Sequence, residues 1–272
     1  MQVVSVLRGD SPIVLGQPHG GTFVPADIAA RLNDTGRSLA DTDWHINRLY
    51  KGVFDGVSVV QSNIHRYVID ANRAPDGASL YPGQNTTTLV PLTDFDGHPI
   101  WVNGQNPSAD ETESRRLVFH APYHDALRQE LERVRNRHGV AILFDCHSIR
   151  SVIPYLFEGE LPMFNTGTNG GQSCHPAVEQ AVHHVATDAD GRSSVLNGRF
   201  RGGWTTRHYG RPSEGIHAIQ MEIAQRAYMD ETSPWTWRDD RAASLRPHLR
   251  NMLSRLSELA LSGELTNTGA HL

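Results

Sequence analysis

Val140-Ala141-Ile142-Leu143-Phe144 runs directly into Asp145-Cys146-His147-Ser148. An apolar run without alternation describes a strand covered on both faces, and such strands belong to parallel sheets flanked by helices. Upstream, His120, His124, Leu127, Leu131 and Val134 recur at three- and four-residue steps, the signature of one buried helix face. Downstream, His217 to Ile223 reads as a strand whose alternation puts Ala218, Gln220 and Glu222 on one side. Further out, Ile13-Val14-Leu15-Gly16-Gln17 is a buried strand ending at Pro18 and the Gly20-Gly21 pair. Val57 to Asn63 and Arg66 to Asp70 read as two more strands. Helices are expected after Pro25, from Ala40 to Phe54, and from Asp239 to Leu261, with residues 262–272 fraying. Short apolar strands alternating with helices predict a layered α/β fold. Neither an internal repeat nor a linker breaks the pattern, so one domain over 1–272 is expected.

Composition narrows the function. The 272 residues carry 25 Lys+Arg against 30 Asp+Glu, a net charge of -5, which disfavours a nucleic-acid partner that needs many phosphates neutralised. No apolar run approaches the roughly 18 residues of a membrane-crossing helix, so no membrane partner is expected. The opening MQVVSVLRGDSP turns polar too soon for a signal peptide, and two cysteines, Cys146 and Cys174, make no disulfide framework. A reducing, cytoplasmic location follows as the expectation. The 15 histidines are many, and Lys51 is the only lysine, which leaves arginine as the cation for anionic ligands.

Several constellations carry chemistry. His19, followed by two glycines, stands at the carboxyl end of a strand, where open α/β sheets bind ligands. His147 holds the same position after the VAILF strand. Two imidazoles and a carboxylate compose a metal site with an open position, and Asp41 and Asp43 both offer the carboxylate, with helix capping as the other use of either. Cys146, beside His147, reads as a small buried apolar residue rather than a nucleophile. Asn72 and Arg73 follow the 66–70 segment, and an arginine fork beside an amide suits a substrate carboxylate; a structural pair between Arg73 and Asp70 is the alternative. Glu222 is a carboxylate flanked by Met221 and Ile223. Desolvation there raises its pKa and suits it to general-base work, unless it merely pairs with Arg73 or Arg226. His124 either points into the site or is a satisfied core histidine. The proline- and glycine-rich stretch from Ala74 to Asp110 is long for a neutral connection.

Taken in order, PHGGTFVP (18–25), DTDWHINRLY (41–50), RYVIDANR (66–73), PYH (122–124), DCHS (145–148), RFRGGWTTRHYG (199–210) and QMEI (220–223) resemble the N-formylglutamate amidohydrolase family. The matches span nearly the whole chain. The resemblance implies hydrolysis of N-formyl-L-glutamate to formate and L-glutamate in histidine degradation. It also implies a three-layer α/β sandwich around a mixed, mainly parallel sheet, similar to zinc carboxypeptidases. Those enzymes take a glutamate three residues after the first histidine as a zinc ligand; here that residue is Thr22, which has no carboxylate. The implied Zn2+ ligands are therefore His19, His147 and, of the two aspartates, Asp43. Other divalent metals accept such a set. By the same resemblance Glu222 is the general base and Asn72 with Arg73 holds one carboxylate of a small N-acyl amino acid; Arg66 is the candidate cation for the developing oxyanion. His124 is a further substrate contact, and Arg201 or Arg207 supplies a cation for a second carboxylate. Nothing in the sequence fixes the acyl group, so another N-acyl amino acid is the alternative substrate.

Overall fold

The structure, a computed structural model, describes residues 2–79 and 83–266; the expectation for the tail therefore lies outside it from 267 onward. Seven strands among these residues form one sheet: β1 (Val4–Leu7), β2 (Ile13–Gln17), β3 (Ser58–Ser62), β4 (Ala141–Ile149), β5 (Phe164–Gly167), β6 (Ser194–Leu196) and β7 (Ile216–Ala224). Their order is β1-β3-β2-β4-β7-β5-β6. The four central strands β3, β2, β4 and β7 run parallel, β1 and β5 are antiparallel to their inner neighbours, and β6 pairs parallel with β5. The sheet is thus mixed and mainly parallel, as expected.

Helices cover both faces. The helices are α1 (Ala26–Ala29), α2 (Asp34–Arg37), α3 (Ile46–Tyr50), α4 (Ala109–Arg115), α5 (Ala121–His138), α6 (Pro176–Thr187), α7 (Trp204–Tyr209) and α8 (Asp239–Leu261). On one face Ile142, Phe144 and Cys146 of β4 and Ile219, Met221 and Ile223 of β7 pack with α3, α6 and α8. On the other, Ala141 and Leu143 of β4 and Ile216 and Ala218 of β7 meet Tyr123, Leu127, Leu131 and Val134 of α5. Each fully buried aliphatic side chain contributes about 1.5–3 kcal/mol. Truncating a central ring such as Phe144, which is 0 % exposed, would cost about 3–5 kcal/mol.

The pleat that builds this second core also builds the site. Along the α5 face, β4 continues from Leu143 to Asp145 and His147, and β7 continues from Ala218 to Gln220 and Glu222. The register pairs Asp145 with Gln220 and His147 with Glu222. One face is therefore apolar at its amino half and polar at its carboxyl half.

Three expectations need correction. The VAILF strand does not stop at Phe144 but extends to Ile149, so His147 lies within a ladder rather than after one. Arg66 to Asp70 is a buried turn, not a strand. Tyr67, Val68 and Ile69 are apolar because they fill a separate small core with Ile28, Leu32 and Trp101. The 40–54 helix is confined to Ile46–Tyr50, because His45 adopts a left-handed φ of 60° and the chain before it turns inward.

Candidate active site

His19 lies just beyond β2, and the glycines after it permit close packing. A Cβ on Gly21 would stand 2.4 Å from the Asn63 backbone carbon, so no larger residue fits where this turn meets the end of β3. The backbone N–H of Asp43 donates to the His19 carbonyl at 3.2 Å, which brings the 41–45 turn against the strand end. Asp43 Oδ2 accepts from the Ser148 N–H at 3.0 Å, and Asp43 Oδ1 accepts from Arg66 Nη2 at 2.7 Å. His19, Asp43 and His147 are all buried and turn donor atoms toward one point, within 4.8 Å of one another.

The orientation of both imidazoles is set from behind. His19 Nε2 donates to Asp70 Oδ1 at 2.7 Å, and His147 Nε2 lies 3.0 Å from Asp145 Oδ1. A carboxylate behind each Nε2 favours the proton there and leaves Nδ1 as a lone pair. The two Nδ1 atoms then face each other at 3.2 Å, with Asp43 Oδ2 3.9 Å from His19 Nδ1 and 3.5 Å from His147 Nδ1. Lone pairs held that close repel unless a proton or a cation sits between them. The protonation tendencies agree: burial and Arg66 lower the His19 pKa, whereas for His147 the opposing effect of burial is outweighed by Asp145 and Asp43, which raise it. Two imidazoles and a carboxylate with this geometry fit a divalent cation well.

Asp41 is not part of this group. Its Oδ2 accepts from the Tyr67 hydroxyl and the Phe95 N–H, both at 2.8 Å, so it braces the turn instead. Asp43 stays ionised despite burial, because Arg66 and the two histidines hold its pKa below the ordinary value.

Beside these donors opens a cleft enclosing about 600 Å³, part of it open to solvent. Its wall includes His19, His147, Glu222, Arg66, Asn72 and Arg73. Glu222 is 6 % exposed; burial pushes its pKa up to about 8, and Gln220 Nε2 donates to its Oε2 at 3.0 Å. Arg66 sits over the Phe95 ring at 4.9 Å. Asn72 Nδ2 is 3.3 Å from His147 Nε2, and its Oδ1 accepts from the Thr205 N–H at 2.9 Å. A Cβ on Gly203 would lie 2.2 Å from that Asn72 Nδ2, so only glycine allows the amide its place. Arg73 is 3.9 Å from Asp70 Oδ2 and is clamped by the 86–87 segment, donating from Nε to the Thr87 carbonyl at 2.9 Å.

Three expected substrate contacts lie elsewhere. His124 stands behind the wall, donating from Nε2 to the Ala71 carbonyl at 2.8 Å, with Nδ1 3.1 Å from the Tyr209 hydroxyl. It supports the 70–73 turn rather than entering the cleft, because its helix face is the one packed on the sheet. Arg201 is exposed and donates to the Asn197 carbonyl at 3.2 Å, and Arg207 donates to the Gly202 carbonyl at 2.9 Å. The arginine of this segment that lines the cleft is Arg199. Sequence reasoning also passed over Asp70 and Asp145 as partners of the histidines. Their signal was available: each lies next to a candidate ligand or carboxylate-binding motif in an otherwise apolar run.

Comparison with known proteins agrees with the motif pattern. A family model described as N-formylglutamate amidohydrolase matches residues 11–229. The chain is 45% identical over 256 residues to an N-formylglutamate deformylase of Pseudomonas putida, covering 94% of this chain and 96% of that protein. A Pseudomonas aeruginosa N-formylglutamate deformylase is 44% identical over the same coverage. Among solved structures, an N-formylglutamate amidohydrolase from Ralstonia eutropha JMP134 superposes with a TM-score of 0.81 at 24% identity, over 97% of this chain and 100% of that one.

Proposed function

The chain belongs to the N-formylglutamate amidohydrolase family, and on that premise we propose that it hydrolyses N-formyl-L-glutamate to formate and L-glutamate. In this proposal His19, Asp43 and His147 hold one divalent cation, zinc by preference, and the reaction serves histidine breakdown in the cytoplasm. No helix among the described residues is long and apolar enough to cross a membrane. The observation that carries the proposal is the convergence of His19, His147, the buried carboxyl of Glu222 and Arg73 on one cleft, with Asp43 grouped with the two histidines.

A divalent cation held by these donors would supply positive charge to polarise a carbonyl and to acidify water. Glu222 takes the proton of the attacking water, and its burial, by raising its pKa, makes the ionised carboxylate a stronger base. As the bond from the formyl carbon to nitrogen breaks, Glu222 returns that proton to the departing amine. Arg66, fixed by its pair with Asp43, presents a guanidinium to the negative charge that develops on the formyl oxygen. Asn72 and Arg73 hold the α-carboxylate, so the scissile bond is oriented before chemistry begins.

Formate release tests the substrate assignment directly. The purified protein should release formate from N-formyl-L-glutamate and spare N-acetyl-L-glutamate, measured by a coupled formate assay. Efficient hydrolysis of other N-acyl amino acids with none of the formyl substrate would overturn it.

A further inference from the structure

The 199–210 motif contributes more than its arginines. Its turn Gly203-Trp204-Thr205-Thr206 opens α7, which lies against β7 and β4 on the face that carries Glu222 and His147. We propose that Gln220 and Thr206 are positioning residues through which this turn orients the general base Glu222 and the His147 side of the cation site. The inference rests on the metal-assisted hydrolysis proposed above.

The arm toward the base starts at the backbone. The Gly203 N–H donates to Gln220 Oε1 at 2.7 Å. The terminal torsion of an amide side chain is soft, and a backbone N–H decides which end of the amide faces it. Gln220 Nε2 is thereby turned toward Glu222 and donates to its Oε2 at 3.0 Å. Gly203, Gln220 and Glu222 are all buried, so water competes little for either bond. With Oε2 held in this way, Oε1 is the oxygen that takes and returns the proton.

The arm toward the cation runs through Asp145. Its Oδ1 lies 3.0 Å from His147 Nε2, and its Oδ2 accepts from the Thr206 hydroxyl at 3.0 Å. A single contact leaves a carboxylate able to swing about its terminal torsion, whereas contacts on both oxygens fix its plane. Asp145 and Thr206 are both 0 % exposed, so the hydroxyl sets the carboxylate that in turn sets the imidazole. Asp145 pairs with Gln220 in the ladder, and His147 pairs with Glu222. The ladder fixes these four backbones, and the turn fixes the side-chain ends. The same turn also holds Asn72, whose Oδ1 accepts from the Thr205 N–H at 2.9 Å.

Two readouts separate the arms from a general loss of structure. Zinc affinity would be measured on stripped protein by competition with a chromophoric chelator. Steady-state formate release from N-formyl-L-glutamate would be measured at saturating zinc. Gln220→Met should lower kcat by about 10- to 100-fold, with KM changed by less than about 5-fold and zinc affinity by less than about 2-fold. Thr206→Val should weaken zinc binding by about 10-fold, and Thr206→Ser, which keeps the hydroxyl, should retain it to within about 3-fold. Gln220→Leu and Thr206→Ala remove the same bonds in other shapes and take over where a first variant does not fold. Unchanged kcat on loss of the Gln220 amide, or unchanged zinc affinity on loss of the Thr206 hydroxyl, would overturn the proposal. So would variants in which kcat, KM and zinc affinity all fall together with the melting temperature, since the turn would then only support the fold. Wild type that neither binds zinc nor releases formate would overturn the underlying activity, and this proposal with it.

Discussion

The parallel strands and the loops that roof them contribute to the cleft in different ways. His147 and Glu222 lie in β4 and β7, paired in register, with every residue of both strands buried. Arg73 and Arg199 come from turns and irregular segments and are held by side chain-to-carbonyl bonds, and Phe95 comes from a loop where its N–H donates to Asp41. On the proposed mechanism the general base and one cation donor sit on backbone fixed by a ladder, whereas the arginines of the cleft wall sit on connections that sequence change can reshape. The comparison implies that chemistry and specificity can be altered separately.

The largest expected effect tests the strand side. Glu222→Gln should preserve the fold and substrate binding while lowering kcat by about 10³-fold or more, measured by steady-state formate release. A variant with near wild-type turnover would remove Glu222 from its role and break the division. Next comes the link between the two regions, since Asp70 belongs to the buried turn yet orients the strand-end His19. Asp70→Asn should weaken metal binding by about 10- to 100-fold in a competitive chelator titration. An unchanged affinity would mean that the histidine needs no partner behind it.

The smallest effect concerns the other end of β7. His217 is 0 % exposed, and burial, reinforced by His175, lowers its pKa from 6.5 to about 4. Its depressed pKa means that the neutral ring's contribution to stability is complete above pH 6.5 and is lost as pH falls toward 4, amounting to about 3 kcal/mol. His217→Gln should flatten that acid limb in urea unfolding between pH 7 and 4, with turnover at pH 7 unchanged. An acid limb of the same slope in the variant would assign the acid sensitivity to other groups.

The strand side was also the more legible. Ile13–Gln17 and Asp239–Leu261 have the bounds their patterns predict, and the α5 face is the one its periodicity describes. Patterns of this kind report burial, and here burial and regular structure coincide. They diverge in the 66–70 turn, where Tyr67, Val68 and Ile69 are as apolar as a strand because they fill a core of their own. They diverge again at 40–45, where the left-handed His45 stops the helix that composition favours. Position in the chain could place His19, His147 and Glu222, but it offered Arg201 or Arg207 for a second carboxylate where the choice that lines the cleft is Arg199. That choice depends on which carbonyls of the 85 and 156 loops come within reach after the chain has folded.

Formate release should depend on a cation held by His19, Asp43 and His147. The most direct test of that dependence is to strip the protein with a chelator, add zinc in measured fractions, and follow formate release from N-formyl-L-glutamate at each step. The stripped protein should be inactive, and its activity should rise linearly and saturate at about one zinc per chain, as one three-donor site requires. Full activity in the metal-free protein would contradict it.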